Sequence, residues 1–438
     1  MTIDTIYNDN PWSGLSQNQR DWYVPALLDV FRAKSIYRQF VPMQVDLNAQ
    51  RTKKMIFNLV YDLEPNTTPL DARAKWVDGM RSASSQLEIT TEHHGGKIQM
   101  EDYDDMITYW QEGGVVGLMP IIRNRLAPAI VEHLDKLARN AYLQGTFNSV
   151  AMGDAASWNA LADGNVFDID WALDAQLRAM TSNLPGFQDQ AGSIVCVTTP
   201  GALYQVQKSP EWIALNDYSE SGRTALLAAE VGSYKGVRFV PTTANILWNA
   251  GAITKRVNVT SAITAGDGQA TWGTYKPDTA FTNYVQCSSF GDGEFAVNDV
   301  VTIHTAVTSA HGVTDGVNPY HGKTVTRVVK YVNHSTDRLA FDKPILMDYA
   351  VGEAETGVAA YITKGRSVHA SVFMYGPSGV VAGVSQPVRL VIPPAFDDLM
   401  RTRRFAWDAY IKYQEFRPEM FEVVFHSGQH RINGAASY

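Results

Sequence analysis

The clearest periodic pattern in the chain lies in residues 126–145, where apolar side chains recur at every third or fourth position. Such spacing places them on one face of an amphipathic helix. The apolar positions are Ala127, Ile130, Val131, Leu134, Leu137, Ala138, Ala141 and Tyr142, and the polar positions of the opposite face are Arg125, Glu132, Asp135, Lys136, Arg139 and Asn140. At ~1.5 Å per residue the pattern predicts a helix about 30 Å long, which Gly145 is suited to end.

Residues 51–110 have the two-residue period that is typical of strands. Residues 55–61 are rich in aromatic and branched side chains, and apolar and polar residues alternate in 87–92 and 97–100. Gly95 and Gly96, between the last two segments, are typical of a hairpin turn. We therefore predict an extended β-hairpin that projects from the body of the protein, with its tip at the two glycines.

Residues 1–50 are expected to form an arm. Loosely spaced apolar residues predict a helix over residues 21–40, and Pro42 ends it. The segment has too few apolar residues to bury a core of its own. We therefore expect the arm to lie on another surface.

Residues 166–253 predict one sheet flanked by helices. Asp170 is placed to cap the first helix. The apolar face of this helix is formed by Leu173, Leu177 and Met180. Residues 193–198 predict a buried strand, Thr199 and the proline after it suit the start of a second helix, and residues 235–240 predict a further strand.

The pattern then changes. Residues 254–366 carry clusters of Thr, Val, Gly and Asp without a helical period, and strands are predicted at 298–303, 323–332 and 338–341. Short strands separated by turns are typical of a small barrel or sandwich. Because strands of the α/β body resume at residue 368, we predict that the intervening segment is an inserted all-β domain.

Composition restricts the class of protein. The 438 residues are 45% apolar and 19% charged, as in globular proteins, and are enough for two or more domains. A net charge of -8 argues against a protein that grips nucleic acid, which needs a basic face. The first residues lack a secretory pattern, and the apolar runs are shorter than the ~20 residues of a membrane helix. With only Cys196 and Cys287, we expect no disulfide framework and a protein kept in the cytoplasm.

Few residues suggest chemistry. His93 and His94 are adjacent on a predicted strand and should point to opposite faces, so they do not suit one metal ion. The acidic residues in 101–105 lack the spacing of a calcium loop. The sequence contains no phosphate-binding loop, nucleophile elbow or His-Glu-x-x-His motif. We expect no metal, no cofactor and no enzymatic activity.

Aromatic and basic residues in segments without a core are candidates for contact with a partner. Aromatic residues are enriched in interface cores, and arginine pairs well with carboxylates. Arginines beside aromatic residues also suit nucleic acid, but Asp397 and Asp398 dilute the charge of the arginine cluster and favour an intersubunit role. The candidates are Trp12, Trp22, Tyr23, Lys75, Trp76, His93, His94, Arg401, Arg403 and Arg404.

An ordered set of short motifs runs through most of the chain. It comprises Glu-Asp-Tyr-Asp-Asp at 101–105, Leu-Ala-Arg-Asn-Ala-Tyr-Leu-Gln-Gly at 137–145, Val-Thr-Thr-Pro at 197–200, Glu-Val-Gly at 230–232, Lys-Gly-Val-Arg-Phe-Val at 235–240, and Arg-Pro-Glu at 417–419 before a strand at 421–424. In this order the motifs resemble the major capsid proteins of tailed phages with the Hong Kong 97 fold. Within that family they resemble most the capsid proteins of phages related to the enterobacterial phage N-four.

The resemblance implies an α+β fold of the Hong Kong 97 type with an inserted all-β domain. The implied parts are an N-terminal arm at 1–50, an extended β-hairpin loop and the start of the peripheral domain at 51–110, the peripheral domain with a long spine helix at 111–165, an axial α/β domain at 166–253, the insertion at 254–366, and return strands that complete the axial and peripheral domains at 367–438.

The resemblance also implies a function. Copies of the chain would form hexamers and pentamers of an icosahedral virion shell, assembled in the host bacterial cytoplasm around double-stranded DNA that is bound without sequence specificity. Scaffolding, portal and cement proteins are the other expected partners, and no membrane is involved. Some members of the family crosslink a lysine of the extended loop to a neighbour, for which Lys75 and Lys97 are the conceivable donors. A shell protein of a non-viral nanocompartment, a β-rich tail or host-binding protein and a carbohydrate-active enzyme stay open as alternatives.

Overall fold

A computed structural model describes most of the chain. The described residues are 35–44, 54–60, 63, 82–101, 111–112, 115–116, 118–144, 149–151, 157–187, 193–212, 232–265, 267–268, 284–307, 313, 315–391, 402–428, 430–432 and 435–437. The predicted helix at 21–40 falls mostly outside them. Its described end contains a single turn of 3-10 helix, Tyr37–Phe40.

The longest helix extends beyond its predicted start. Within the described residues the α-helices are α1 (Leu118–Leu143), α2 (Asp170–Thr181) and α3 (Pro200–Lys208), and further 3-10 helices lie at Trp158–Ala160, Thr243–Asn245 and Pro418–Met420. Pro120 lies in the first turn of α1, where the backbone N–H that proline lacks would have no partner within the helix. The proline therefore does not prevent the helix from beginning at Leu118.

Strands make up most of the remaining described structure. In chain order they are β1 (Met43–Gln44), β2 (Lys54–Val60), β3 (Ser84–Thr90), β4 (Glu92–Glu101), β5 (Gln111–Glu112), β6 (Val115–Val116), β7 (Ser149–Ala151), β8 (Ile194–Thr198), β9 (Gly232–Tyr234), β10 (Val237–Pro241), β11 (Ile246–Leu247), β12 (Ile253–Val259), β13 (Val285–Gln286), β14 (Val300–His304), β15 (Thr324–Asn333), β16 (Arg338–Phe341), β17 (Ala360–Gly365), β18 (Val368–Met374), β19 (Val380–Val391), β20 (Thr402–Glu415), β21 (Phe421–His426), β22 (His430–Ile432) and β23 (Ala435–Ser437).

The chain divides into two compact units. The first comprises Met1–Ala141 and Val380–Phe416, and the second comprises Tyr142–Gly379 and Arg417–Tyr438. The boundary between them falls in the last turn of α1. The domain boundaries implied by the sequence are finer than this division and stay a prediction.

The first unit is built on a four-stranded sheet in the order β1-β19-β20-β4. Strand β4 runs antiparallel to β20, from Glu101 opposite Thr402 to Glu92 opposite Ile411. Alternate residues of β20 point to one face, and on this face Trp407, Ala409, Ile411 and Tyr413 are buried. The ring of His133 on α1 meets the indole of Trp407 at a centroid distance of 5.4 Å. Helix α1 therefore covers the buried face of the sheet at this point.

The hairpin turn predicted at Gly95 and Gly96 is wrong. Both glycines lie inside β4, opposite Asp408 and Trp407 of β20. A Cβ at Gly96 would lie 2.9 Å from Nε1 of Trp407, and a Cβ at Gly95 would lie 2.8 Å from the Trp407 carbonyl oxygen. The pair thus allows close approach of a neighbouring strand, which is the other common role of glycine in a sheet. The two-stranded pair in this region is β2 with β3.

Two polar residues of α1 do not lie on a solvated face as the periodicity predicted. Glu132 and Lys136 are exposed, in agreement with the prediction, but Asp135 and Arg139 are buried. The 3-10 helix Tyr37–Phe40 explains the burial of Asp135, because the backbone N–H of Arg38 donates to its carboxylate at 3.3 Å. A segment distant in sequence covers this part of the helix.

The second unit contains a seven-stranded sheet in the order β7-β21-β18-β8-β10-β9, with β11 paired to β18. The prediction of a buried strand is confirmed, since every residue of β8 is buried, including Cys196. Thr199 caps α3 as predicted, because its hydroxyl accepts the N–H of Ala202 at 3.3 Å. The predicted strand at 235–240 begins later, since Lys235 and Gly236 form a tight turn with φ values of 45° and 85°.

Helix α2 buries a different face from the predicted one. Asp170 is its first residue and Ile169 occupies the cap position. The buried residues are Ala172 and Ala175, whereas Leu177 and Met180 are 64% and 70% exposed. Small side chains allow the helix to lie close to its neighbours, whereas Leu177 and Met180 point away and Leu173 is half-buried.

A six-stranded antiparallel sheet in the order β12-β17-β14-β15-β16-β13 lies within the second unit. Strands β14, β15 and β16 confirm the strands predicted there, except that Asn298 and Asp299 precede β14. Asn298 has a φ of 75°, which is typical of a turn. The sheet has a hydrophobic cluster of its own that includes Phe295, Phe341 and Tyr349.

Candidate subunit interface

The hairpin of β2 and β3 presents apolar side chains to solvent. Ile56 and Val60 on β2 are 57% and 65% exposed. Asn58 lies between them, on the same face by the alternation of a strand, and is also exposed. An isolated two-stranded ladder is marginally stable in water. Exposed apolar side chains on such an element are typical of an interaction surface.

Contacts from the middle of β2 and the end of β3 hold the hairpin to the first unit. Ile89 near the end of β3 is fully buried, and the rings of Phe57 and Phe416 lie 5.6 Å apart. The ion pair between Lys54 and Glu88 is solvent-exposed and therefore adds little stability. The described contacts thus cover one face of the hairpin, while Ile56 and Val60 on the other face stay uncovered in the subunit.

The described part of the predicted arm, residues 35–44, is firmly attached. Ser35, Tyr37 and Val41 are buried. Asp135 interacts with the backbone N–H groups of Ile36, Tyr37 and Arg38, as a carboxylate does at the start of a helical turn. Strand β1 then pairs in parallel with β19. The described residues 35–44 are therefore fixed to the first unit.

Opposing effects act on the Asp135 carboxylate that holds this segment. Burial raises the pKa of the Asp135 carboxyl, while the backbone N–H groups and the charge of Arg139 act to lower it. Burial also raises the pKa of Tyr413 to about 12 in the same neighbourhood. The carboxylate thus satisfies buried donors at the cost of its own desolvation.

His93 lies on the outer face of the sheet. Its ring stacks on Tyr410 at a centroid distance of 4.5 Å, and its Nε2 is 3.9 Å from Asp408. The guanidinium of Arg389 donates to both carboxylate oxygens of Asp408, at 2.7 and 2.9 Å. His93, which is 56% exposed at its side chain, therefore stays available for contact with a partner.

His94 points to the opposite face, as the alternation of a strand requires. Its Nδ1 lies 3.4 Å from Nε2 of His133 on α1. Burial lowers the pKa of both His94 and His133. The structure therefore separates the two adjacent candidates, with His94 in the packing between β4 and α1.

The other predicted contact residues are distributed over the chain. Trp12, Trp22, Tyr23, Lys75, Trp76 and Arg401 lie outside the described residues. Arg403 and Arg404 belong to β20, opposite Met100 and Gln99 of β4. Lys97 is exposed on the same strand.

Ile56, Val60 and Asp135 are not among the contact residues predicted from the sequence. For the two apolar residues a signal was present, because their spacing on a strand places both on one face together with polar Asn58. For Asp135 there was none, since its partners are backbone groups nearly a hundred positions away.

The second unit also exposes large apolar side chains. Leu177 and Met180 project from α2, and Leu346, Met347 and Val351 are exposed in the segment between β16 and β17. These residues are additional candidates for contact between subunits.

The described part of the chain contains no group of three or more His, Cys, Asp or Glu side chains arranged to hold a metal ion. Within the same residues, no helix combines the length and the apolar character needed to cross a membrane.

Comparison with known proteins finds similarity in structure only. No protein-family model and no curated protein matches the chain. The capsid of Ralstonia phage GP4 matches with a TM-score of 0.50 and 10% identity, over 91% of this chain and 92% of that one. The capsid of cyanophage Pam1 matches with a TM-score of 0.49 and 8% identity, over 89% and 88%, and that of cyanophage P-SCSP1u with 0.48 and 10%, over 90% and 88%. The match to the GP4 capsid confirms the predicted fold class: the chain has the α+β Hong Kong 97-type capsid fold.

Proposed function

We propose that this chain is the major capsid protein of a tailed double-stranded DNA bacteriophage and that copies of it form the shell of the virion. The observation that carries the proposal is a capsid fold along nearly the whole chain, combined with a hairpin whose apolar residues are uncovered in the single subunit. A protein that acts alone would gain nothing from such a hairpin.

The physical argument concerns where the hairpin gains its stability. Burial of apolar surface stabilises by about 25 cal/mol per Å², and Ile56 and Val60 obtain little of this in the subunit. A neighbouring copy that covers the hairpin supplies the missing burial. The proposal requires the receiving surface to be a different part of the chain, because such heterologous contacts generate a ring or a closed shell when their rotation closes.

We further propose that the shell consists of hexamers and pentamers, that it is assembled in the host bacterial cytoplasm, and that the protein has no enzymatic activity. Scaffolding, portal and cement proteins and packaged DNA are the proposed partners. The net charge of -8 supports a shell that does not hold the DNA tightly. A relationship to the phages of the N-four group is supported by the sequence motifs alone.

Electron microscopy of the expressed chain, with and without its neighbouring phage genes, tests the proposal. Closed shells of uniform diameter are expected. In a double variant, Ile56→Asp with Val60→Asp, charges replace the apolar residues of the exposed face, and we expect folded subunits that no longer form shells. Asn58→Asp is the matched control, because it adds a charge to the same face and removes no apolar group.

A stable monomer or small oligomer under all conditions would contradict the capsid proposal. Normal shells from the Ile56→Asp, Val60→Asp variant would leave the capsid proposal intact but refute the role of the hairpin. Circular dichroism of each variant shows whether the subunit itself is folded.

A further inference from the structure

Two imidazole rings from different elements meet inside the first unit. His94 comes from β4 and His133 from α1, and the nearest nitrogens, Nδ1 of His94 and Nε2 of His133, lie 3.4 Å apart. The ring planes make an angle of 60°. At present one ring donates a hydrogen bond to the other, which requires only that the two rings adopt complementary tautomers.

The separation of these nitrogens also matches a metal site. Two Zn–N bonds of about 2.0–2.1 Å at the tetrahedral angle place the two nitrogens about 3.3–3.4 Å apart. We propose that His94 and His133 form a binding site for a divalent transition metal ion such as Zn²⁺, with water in the remaining positions. Imidazole is a preferred ligand of zinc, copper and nickel.

The surroundings of His94 resemble those of a metal ligand. A ligating histidine usually engages its second nitrogen with a carboxylate or a backbone group, which fixes the ring and its tautomer. The backbone of Ile411 forms a hydrogen bond with the ring of His94, and the Glu92 carboxylate lies 3.9 Å from its Nε2. The Glu92 carboxylate favours a proton on Nε2, which leaves the lone pair of Nδ1 directed towards His133.

The surroundings of His133 are also suitable. The edge of its ring meets Trp407 at a centroid distance of 5.4 Å, which limits the orientations of the ring. Burial lowers the pKa of both histidines, which favours the neutral imidazole that ligates a metal ion. When the metal binds, the proton now between the rings has to lie on Nδ1 of His133, so only a tautomer changes.

Such an ion would connect β4 directly to α1. The strand and the helix are held together at this point by the two rings and Trp407. A ligand that binds only the folded state stabilises it in proportion to the logarithm of its concentration. The site would therefore make the stability of the first unit depend on the supply of metal, independently of the proposed role in a shell.

Titration of the untagged full-length chain tests the proposal. Isothermal calorimetry with Zn²⁺ should detect a site in the wild type that is lost in His94→Gln and in His133→Gln. His93→Gln is the matched control, because His93 is adjacent but lies on the outer face, and it should bind as the wild type does. With Co²⁺ the wild type and the control should show the intense visible absorption of a four-coordinate site.

A second measurement, thermal unfolding, distinguishes a variant that has lost the metal site from a variant that does not fold. Zn²⁺ should raise the thermal unfolding temperature of the wild type and of His93→Gln, but not of the two ligand variants. The proposal is overturned if the wild type does not bind Zn²⁺, if all variants bind equally, or if His93→Gln loses binding together with the others.

Discussion

The attachment of the arm to α1 makes a quantitative prediction about Asp135. In the Asp135→Ala variant the backbone N–H groups of Ile36, Tyr37 and Arg38 lose the carboxylate with which they interact. A buried donor without a partner costs about 1–3 kcal/mol, and three of them would exceed the cost of releasing a short segment into water. We therefore expect the arm root, residues 35–44, to detach, with a loss of about 2–4 kcal/mol in the free energy of unfolding.

The matched control lies one turn away on the same helix. Glu132 forms an exposed ion pair with Lys136, and such helical pairs contribute only about 0.3–0.5 kcal/mol. Glu132→Ala should therefore leave stability nearly unchanged. Asp135→Asn should fall between the two alanine variants. It keeps one acceptor oxygen and removes a charge that burial disfavours, as the raised pKa of the Asp135 carboxyl shows.

Urea unfolding of unassembled subunits measures the stability of each variant, and limited trypsin digestion detects release of the arm root through cleavage after Arg38. Asp135→Ala should be cleaved there much faster than the wild type or Glu132→Ala. If Asp135→Ala and Glu132→Ala unfold at the same urea concentration and resist trypsin equally, the carboxylate does not hold the arm and the reasoning is refuted.

Two further predictions concern buried histidines and a glycine that lies against Trp407. Burial lowers the pKa of His304 and of His426 from 6.5 to about 4, so between these pH values the unfolded chain binds more protons than the folded one. Stability should fall by about 3 kcal/mol for each histidine as the pH drops from 6.5 to 4, and equal urea midpoints at pH 7 and 4.5 would contradict this. Gly96→Ala should cost about 1–3 kcal/mol by overpacking against Trp407, as measured by thermal unfolding. Gly164→Ala, where a Cβ meets nothing within 4 Å, is its control, and equal losses in both variants would count against the packing argument.

Local patterns were enough to predict the regular elements. The period of α1, the apolar run of β8, and the Thr-Pro start of α3 all depend on residues near one another in sequence, and each was confirmed. The ordered motifs then allowed the fold class to be predicted from the sequence.

Residues whose role depends on distant partners could not be predicted in this way. Gly95 and Gly96 have the composition of a turn, and only the approach of Trp407 shows why they belong to a strand. Leu177 and Met180 have the spacing of a buried face, but Ala172 and Ala175 determine which side of α2 packs against the unit. In the candidate interface, the spacing of Ile56 and Val60 along one strand could have indicated their shared face. The role of Asp135 depends on backbone groups nearly a hundred positions away in sequence.

The register of the six-stranded sheet has a consequence for how this gene can change. Its first and last strands, β12 and β17, are neighbours, and Ile253 lies opposite Gly365. The polypeptide therefore enters and leaves this sheet at almost the same place. A deletion between these two points would remove the whole segment, and a short turn would rejoin the ends. A foreign domain whose termini lie side by side could be carried at the same junction, so the protein offers a natural position for fusion and display.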